Sequence, residues 1–140
     1  MAATVRGVYS CRTIPKATFA AGAAISGSWA TPIAVYLSAE WAVTTTATSS
    51  GSSTYNILGF CVDTVASGEN VTVYLVGDIL MGTAGEDIAA GEWVTASAAT
   101  AGYLDDADTT SDIIAGMALM AAGAGEPIAF VVSKNGVLAL

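Results

Sequence analysis

An internal repeat constrains the fold more than any other feature. Residues 57–75 (ILGFCVDTVASGENVTVYL) align without a gap to residues 114–132 (IAGMALMAAGAGEPIAFVV). Ile57/Ile114, Gly59/Gly116, Val62/Leu119, Gly68/Gly125, Glu69/Glu126, Val71/Ile128 and Val73/Phe130 correspond. The shared pattern is strand, loop, Gly-Glu, strand. Glycine permits the turn backbone, and the following acid stays in water at the start of the strand. A third Gly-Glu, Gly91-Glu92, precedes Trp93-Val94. Two copies are too few for a solenoid. They predict two similar hairpins around one core.

Alternation carries the same message elsewhere. Ile33, Val35, Leu37, Ala39, Trp41 and Val43 occupy every second position of Ile33–Val43, which reads as one half-buried strand. Val71, Val73 and Leu75 alternate with Thr72 and Tyr74, and Ile128, Phe130 and Val132 with Ala129, Val131 and Ser133. Asn135-Gly136 tolerates the positive φ angles of a type I′ turn and predicts a hairpin between Phe130–Lys134 and Val137–Leu140. Fifteen glycines disfavour long helices, each costing about 1 kcal/mol in a helix interior. Only Ala17–Ala24 and Ile113–Ala124 retain helical potential, weakened by Gly22, Gly116 and Gly123. Thr44–Ser53 is a polar loop. The expected architecture is all-β: residues 1–30 as an extended arm, and residues 31–140 as a single β domain holding the repeat.

Charge is sorted along the chain. Residues 1–16 hold three basic groups and no acid, residues 17–62 hold only Glu40, and residues 63–140 hold eleven acids and Lys134. The net charge of −8 opposes phosphate binding and argues against a nucleic-acid partner. At 54% hydrophobic and 11% charged, the chain lies far from disordered composition. With no histidine it lacks the usual neutral-pH base and the commonest zinc ligand. A neutral middle zone suits a surface that meets another protein, because interface cores are depleted in charge. Cys11 and Cys61 read as two reduced thiols, with pairing left open. Arg6, Arg12 and Lys16 before Ala17–Ile25 imitate a signal peptide, but the apolar run is mostly Ala and Gly. The uncharged window Ala17–Ala39 is interrupted by Gly22, Gly27 and Pro32, so no membrane span is expected.

Motifs for chemistry are sparse. Asp105, Asp106, Asp108 and Asp112 form the densest set of oxygen ligands, but EF-hand spacing fails: Thr110 stands where Gly belongs and Gly116 where Glu belongs. A solvated acidic loop is expected, with no metal. Glu69, Glu92 and Glu126 follow glycines and read as turn acids, not as a glycosidase pair. No nucleophile elbow, P-loop or dinucleotide fingerprint occurs. Trp41 and Trp93 are expected as core anchors. Trp29, within Ser26-Gly27-Ser28-Trp29, fits an interface anchor as well as a core ring.

The run Ile-x-Gly…Gly-Glu-x-Val-x-Val-x-Leu-Val-Gly-Asp, followed by Ile88-Ala-Ala-Gly-Glu-Trp-Val and Ile114-Ala-Gly-Met-Ala-Leu, resembles the tailed-phage capsid decoration (head cement) proteins. The matching stretch is Ile57–Val132. The resemblance implies a small β-sandwich or β-tulip-like barrel with an N-terminal arm laid across capsid subunits. It implies binding outside an expanded head, commonly as a homotrimer at three-fold or quasi-three-fold positions. The major capsid protein would be the partner, and the place the virion surface after assembly in the host cytoplasm. No catalytic residue, cofactor or membrane partner follows from it. An arm that adds a strand to a capsid sheet edge would use Val5, Val8 and Tyr9 for side-chain pockets. Arg6, Arg12 and Lys16 would match charge, with Trp29 as an anchor. The competing expectation is a secreted or surface-layer adhesive β module with calcium at Asp105–Asp112.

Overall fold

A computed structural model describes residues 16–45, 57–108 and 113–137, the last four by backbone alone. Among these, the first half contributes β1 (Lys16–Ala21), β2 (Ile25–Ser26), β3 (Ile33–Ala39), β4 (Ala42–Thr45), β5 (Gly59–Cys61), β6 (Thr64–Val65) and β7 (Asn70–Tyr74). The second half contributes β8 (Ile79–Ala84), β9 (Trp93–Ala96), β10 (Tyr103–Asp106), β11 (Ile113–Ala118) and β12 (Pro127–Val137). The chain is all-β and builds two small closed barrels, ordered β1-β4-β3-β5-β7 and β10-β8-β12-β11-β9, beside a short β2–β6 ribbon. The segments with helical potential became β1 and β11. Neighbouring strands satisfy their backbone groups, and glycine lowers the helical alternative.

The two barrels share one topology. β1 pairs parallel with β4 and antiparallel with β7, as β8 does with β10 and β12. The antiparallel pairs β3–β4, β3–β5 and β5–β7 recur as β9–β10, β9–β11 and β11–β12. Registers match residue for residue: Ala21↔Val43 recurs as Ala84↔Leu104, and Val35↔Gly59 as Val94↔Gly116. Even the ribbon pair Ile25↔Val65 recurs, as the bridge Ile88↔Ala122. The repeat visible at 57–75 and 114–132 is therefore the last third of a barrel-length duplication. There are two cores rather than one: the first barrel encloses its own, and the second barrel's core continues into Ala34, Ile57 and Phe60 of the first half.

Core composition follows that correspondence. Val35, Val43, Cys61 and Val71 are buried in the first barrel where Val94, Leu104, Ala118 and Ile128 are buried in the second. One substitution is reciprocal. Phe19 and Val73 of the first barrel become Gly82 and Phe130 in the second, so the aromatic ring moves from one strand to its neighbour's and the filled volume is kept. A Cβ at Gly82 would stand 3.3 Å from Phe130 Cε1 and 3.6 Å from Pro32 Cδ, an atom of the other barrel.

Four expectations are corrected. The ordered body already includes β1 and β2, so the span expected to be an arm to residue 30 enters the first barrel at Lys16. Ile33–Val43 is a hairpin of β3 and β4, turning at Glu40-Trp41, with Trp41 at φ 55°. Burial in β3 ends at Val35, Leu37, Ala39 and Trp41 face water, and burial resumes at Val43 of β4. Asn135-Gly136 forms no turn, because β12 runs on past it and pairs Gly136 with Ile114. A register shift between Ile114 and Gly116 absorbs the irregularity as a bulge. Trp41 (64% exposed) and Trp93 (43%) lie outside the cores, Trp41 on its turn and Trp93 on the outward phase of β9, one residue before buried Val94. Thr46–Ser53, most of the polar loop, lies outside the described residues.

The Gly-Glu acids are turn clips. Glu69, Glu92 and Glu126 each accept a hydrogen bond at Oε2 from the backbone N–H three residues upstream, at Ala66 (2.7 Å), Ala89 (2.7 Å) and Gly123 (2.6 Å). Gly68, Gly91 and Gly125 supply the positive φ that closes all three loops. Replacing Glu126 with alanine leaves an N–H without its acceptor and is expected to lower stability by about 1 kcal/mol, with glutamine retaining much of it. Urea denaturation midpoints of the two variants check this.

Candidate interaction surfaces

The turn Ser28–Thr31 is locked by its own polar groups. Thr31 N–H donates to Ser28 Oγ (3.1 Å), the two hydroxyls meet at 2.8 Å, and Ser28 N–H donates to the Thr31 carbonyl (3.3 Å). The loop is fastened on both sides. Thr64 Oγ1 donates to Gly27 O (3.0 Å) and, from the second barrel, Thr83 Oγ1 donates to Ala30 O (2.8 Å). This rigid turn holds Trp29 60% exposed, with its ring 5.5 Å from that of Tyr74. Lys16 is the register partner of Tyr74. The structure thus places both Lys16 and Trp29 beside one tyrosine, which no sequence pattern linked to them. Burial, then the charges of Asp63 and Asp78, raises the Tyr74 pKa. Val5, Arg6, Val8, Tyr9 and Arg12 lie outside the described residues.

Two further apolar surfaces escaped sequence reasoning. One is the tip of the first barrel, where Leu37 (52% exposed) and Trp41 stand out, Trp41 resting on Phe19 with ring centroids 5.4 Å apart. The other is the outer face of the second barrel. Ile79↔Val131, Val131↔Met117 and Met117↔Trp93 are successive register partners across β8, β12, β11 and β9. They form one uncharged row, with exposed Met81 and Leu119 close by.

The concave regions offer little chemistry. A cleft of about 500 Å³ between the barrels is lined by residues including Pro32, Phe60, Ser97 and Tyr103, with no carboxylate, amine or thiol. A second, of about 540 Å³, gathers Asp87, Glu92, Asp106 and Glu126. Glu92 and Glu126 are the clips described above, and Asp87 Oδ1 accepts from Ala124 N–H (3.2 Å). Among the described residues, no group of three or more His, Cys, Asp or Glu is placed to hold a metal ion. Residues 109–112 of the acidic run lie outside them, as does Cys11. Cys61 is buried and unpaired, and burial, reinforced by Asp63, pushes its thiol up to about 12, leaving it neutral and inert at ordinary pH. Among the described residues, no helix is long and apolar enough to cross a membrane.

No family model and no curated protein matches the sequence. A solved structure does match: the crystal structure of head fiber gp8.5 N base in bacteriophage phi29, at a TM-score of 0.57 and 20% identity, covering 89% of this chain and 98% of that one. The overlap takes in nearly all of both chains, so the two share an all-β fold over their length.

Proposed function

We propose that this chain is a non-enzymatic structural component of a bacteriophage head, a decoration protein on the outer surface that bridges major capsid protein subunits as a homotrimer. The observation that carries this reading is the likeness in fold, over nearly the whole chain, to the base of a phage head fiber. The sorted charge and the rigidly presented Trp29 support it, since both suit a surface that meets a protein neighbour. Residues 1–15, with Arg6 and Arg12, add a basic arm that lays across acidic ground on the capsid, while the acid-rich remainder keeps a crowded particle dispersed. Binding only the assembled shell shifts stability toward that shell by mass action.

The test is to mix the purified full chain with undecorated expanded heads, pellet them, and follow heat-induced DNA release. Saturable co-sedimentation with a raised release temperature is expected. Deleting residues 1–15 should leave both barrels folded and weaken head binding by roughly tenfold or more. Absence of co-sedimentation with unchanged heat resistance overturns the reading. Undiminished binding of the shortened chain overturns the role of the arm.

A further inference from the structure

The duplicated barrels allow a comparison within one molecule. In the first barrel Ala34↔Phe60, Phe60↔Tyr74 and Tyr74↔Lys16 are successive register partners. In the second, the same topological positions are Trp93, Met117, Val131 and Ile79. The first row is covered over its Ala34–Phe60 half, while Tyr74 is half-buried and Lys16 exposed. Ala34 is 5% exposed and Phe60 is fully buried, its ring edge-on to Phe130 at 5.1 Å across the joint between the barrels. Among the described residues nothing covers the second row, and Ile79 is 61% exposed.

The surface that covers the first row is also duplicated. It includes Gly102, against which Thr31 and Ile33 close, and Ala96, packed into the same cluster as Phe60. By register, the first-barrel counterparts of Ala96 and Gly102 are Leu37 and Trp41: Leu37↔Val43 matches Ala96↔Leu104, and Trp41 and Gly102 each precede a strand with positive φ. Leu37 and Trp41 are the exposed tip described above. One molecule therefore ends in an open apolar row on one barrel and an open apolar tip on the other, the equivalents of two surfaces that already bind each other inside the chain.

We propose that copies of this chain associate head to tail, with Leu37 and Trp41 of one copy seated on the Ile79–Val131–Met117–Trp93 row of the next. The occupant is a second copy because the chain's own joint is built from the equivalent pair of faces. A heterologous contact of this kind closes into a ring when its rotation permits. This gives the homotrimer of the head-surface reading its contact faces and rests on that reading only for the number three. A larger, flexible set of side chains on the row, two of them methionines when Met81 is included, suits a tip bulkier than the one inside the chain. Each copy carries −8, so added salt should strengthen the association by screening repulsion.

The experiment is sedimentation of the full chain and two variants, alone and mixed, with no capsid present. Ile79→Glu blocks the row, while Trp41→Gly removes the tip at a backbone angle that glycine tolerates. The wild-type chain is expected to form oligomers at micromolar concentration. Each variant alone should associate at least about 30-fold more weakly. Their mixture should form a one-to-one dimer, since each supplies the face the other lacks. Circular dichroism checks folding, and Met81→Glu with Leu37→Glu replace any variant that fails to fold. A wild-type chain that stays monomeric overturns the proposal, as does a mixture no more associated than its components. A monomer that still decorates heads would overturn this proposal alone and assign the row to the capsid.

Discussion

Replacing Phe60 with alanine is expected to destabilise the protein by about 3–5 kcal/mol, lowering its melting temperature by roughly 10–20 °C. Phe60 is fully buried, yet it belongs to a strand of the first barrel while its ring lies against Phe130 of the second. Truncation opens a cavity at the joint, where neither barrel can close without shifting the other. Phe130→Ala should cost a similar amount, and the double variant less than the sum, because the two rings line one space and their edge-on contact adds about 0.5–1.5 kcal/mol of coupling. Denaturant unfolding of the three variants measures this. Additive losses below about 1 kcal/mol each would show that the barrels touch without depending on one another.

Gly59→Ala and Gly116→Ala form the second large effect, each expected to exceed about 3 kcal/mol. These equivalent glycines sit where β5 and β11 cross close to the next strand. A Cβ at Gly116 would stand 2.6 Å from the Val131 carbonyl oxygen and 2.9 Å from Phe130 Cδ2, and one at Gly59 would collide with the Tyr74 carbonyl oxygen. Backbone atoms of a closed barrel cannot yield without breaking its register. Gly68 and Gly125 provide the contrast. A Cβ there meets nothing within 4 Å, so alanine incurs only the strain of positive φ, about 1 kcal/mol. Thermal melts of Gly116→Ala and Gly125→Ala side by side separate the two causes, and equal losses would contradict this account of the crossing.

That contrast also shows how far the sequence could be read. The aligned glycines and the Val71–Val73 and Ile128–Phe130–Val132 alternations were visible because strand phase and turn backbone act locally. The rest of the duplication was hidden. Phe19 aligns with Gly82 and Val73 with Phe130 inside the barrels, and Trp41 with Gly102 at their tips, so residues that occupy the same place look unrelated in the sequence. Unequal loops displace the earlier strands from the offset that joins 57–75 to 114–132. Trp41 and Trp93 read as core because an indole usually is, and only the register shows that both lie on outer surfaces. Asn135-Gly136 carried a strong local turn signal that barrel closure overrode by offering Ile114 as a strand partner. Of the contact residues read from sequence, Lys16 and Trp29 do share one patch, but Tyr74, which joins them, gave no signal of its own.

The place proposed for this two-barrel chain is the outside of a phage head. Electron cryo-microscopy of heads saturated with the protein tests it most directly. The account predicts ordered density outside the shell into which both barrels fit, with the Trp29–Tyr74 patch turned toward capsid subunits. Heads that show bare outer surfaces after saturation, or density only inside the shell, would contradict it.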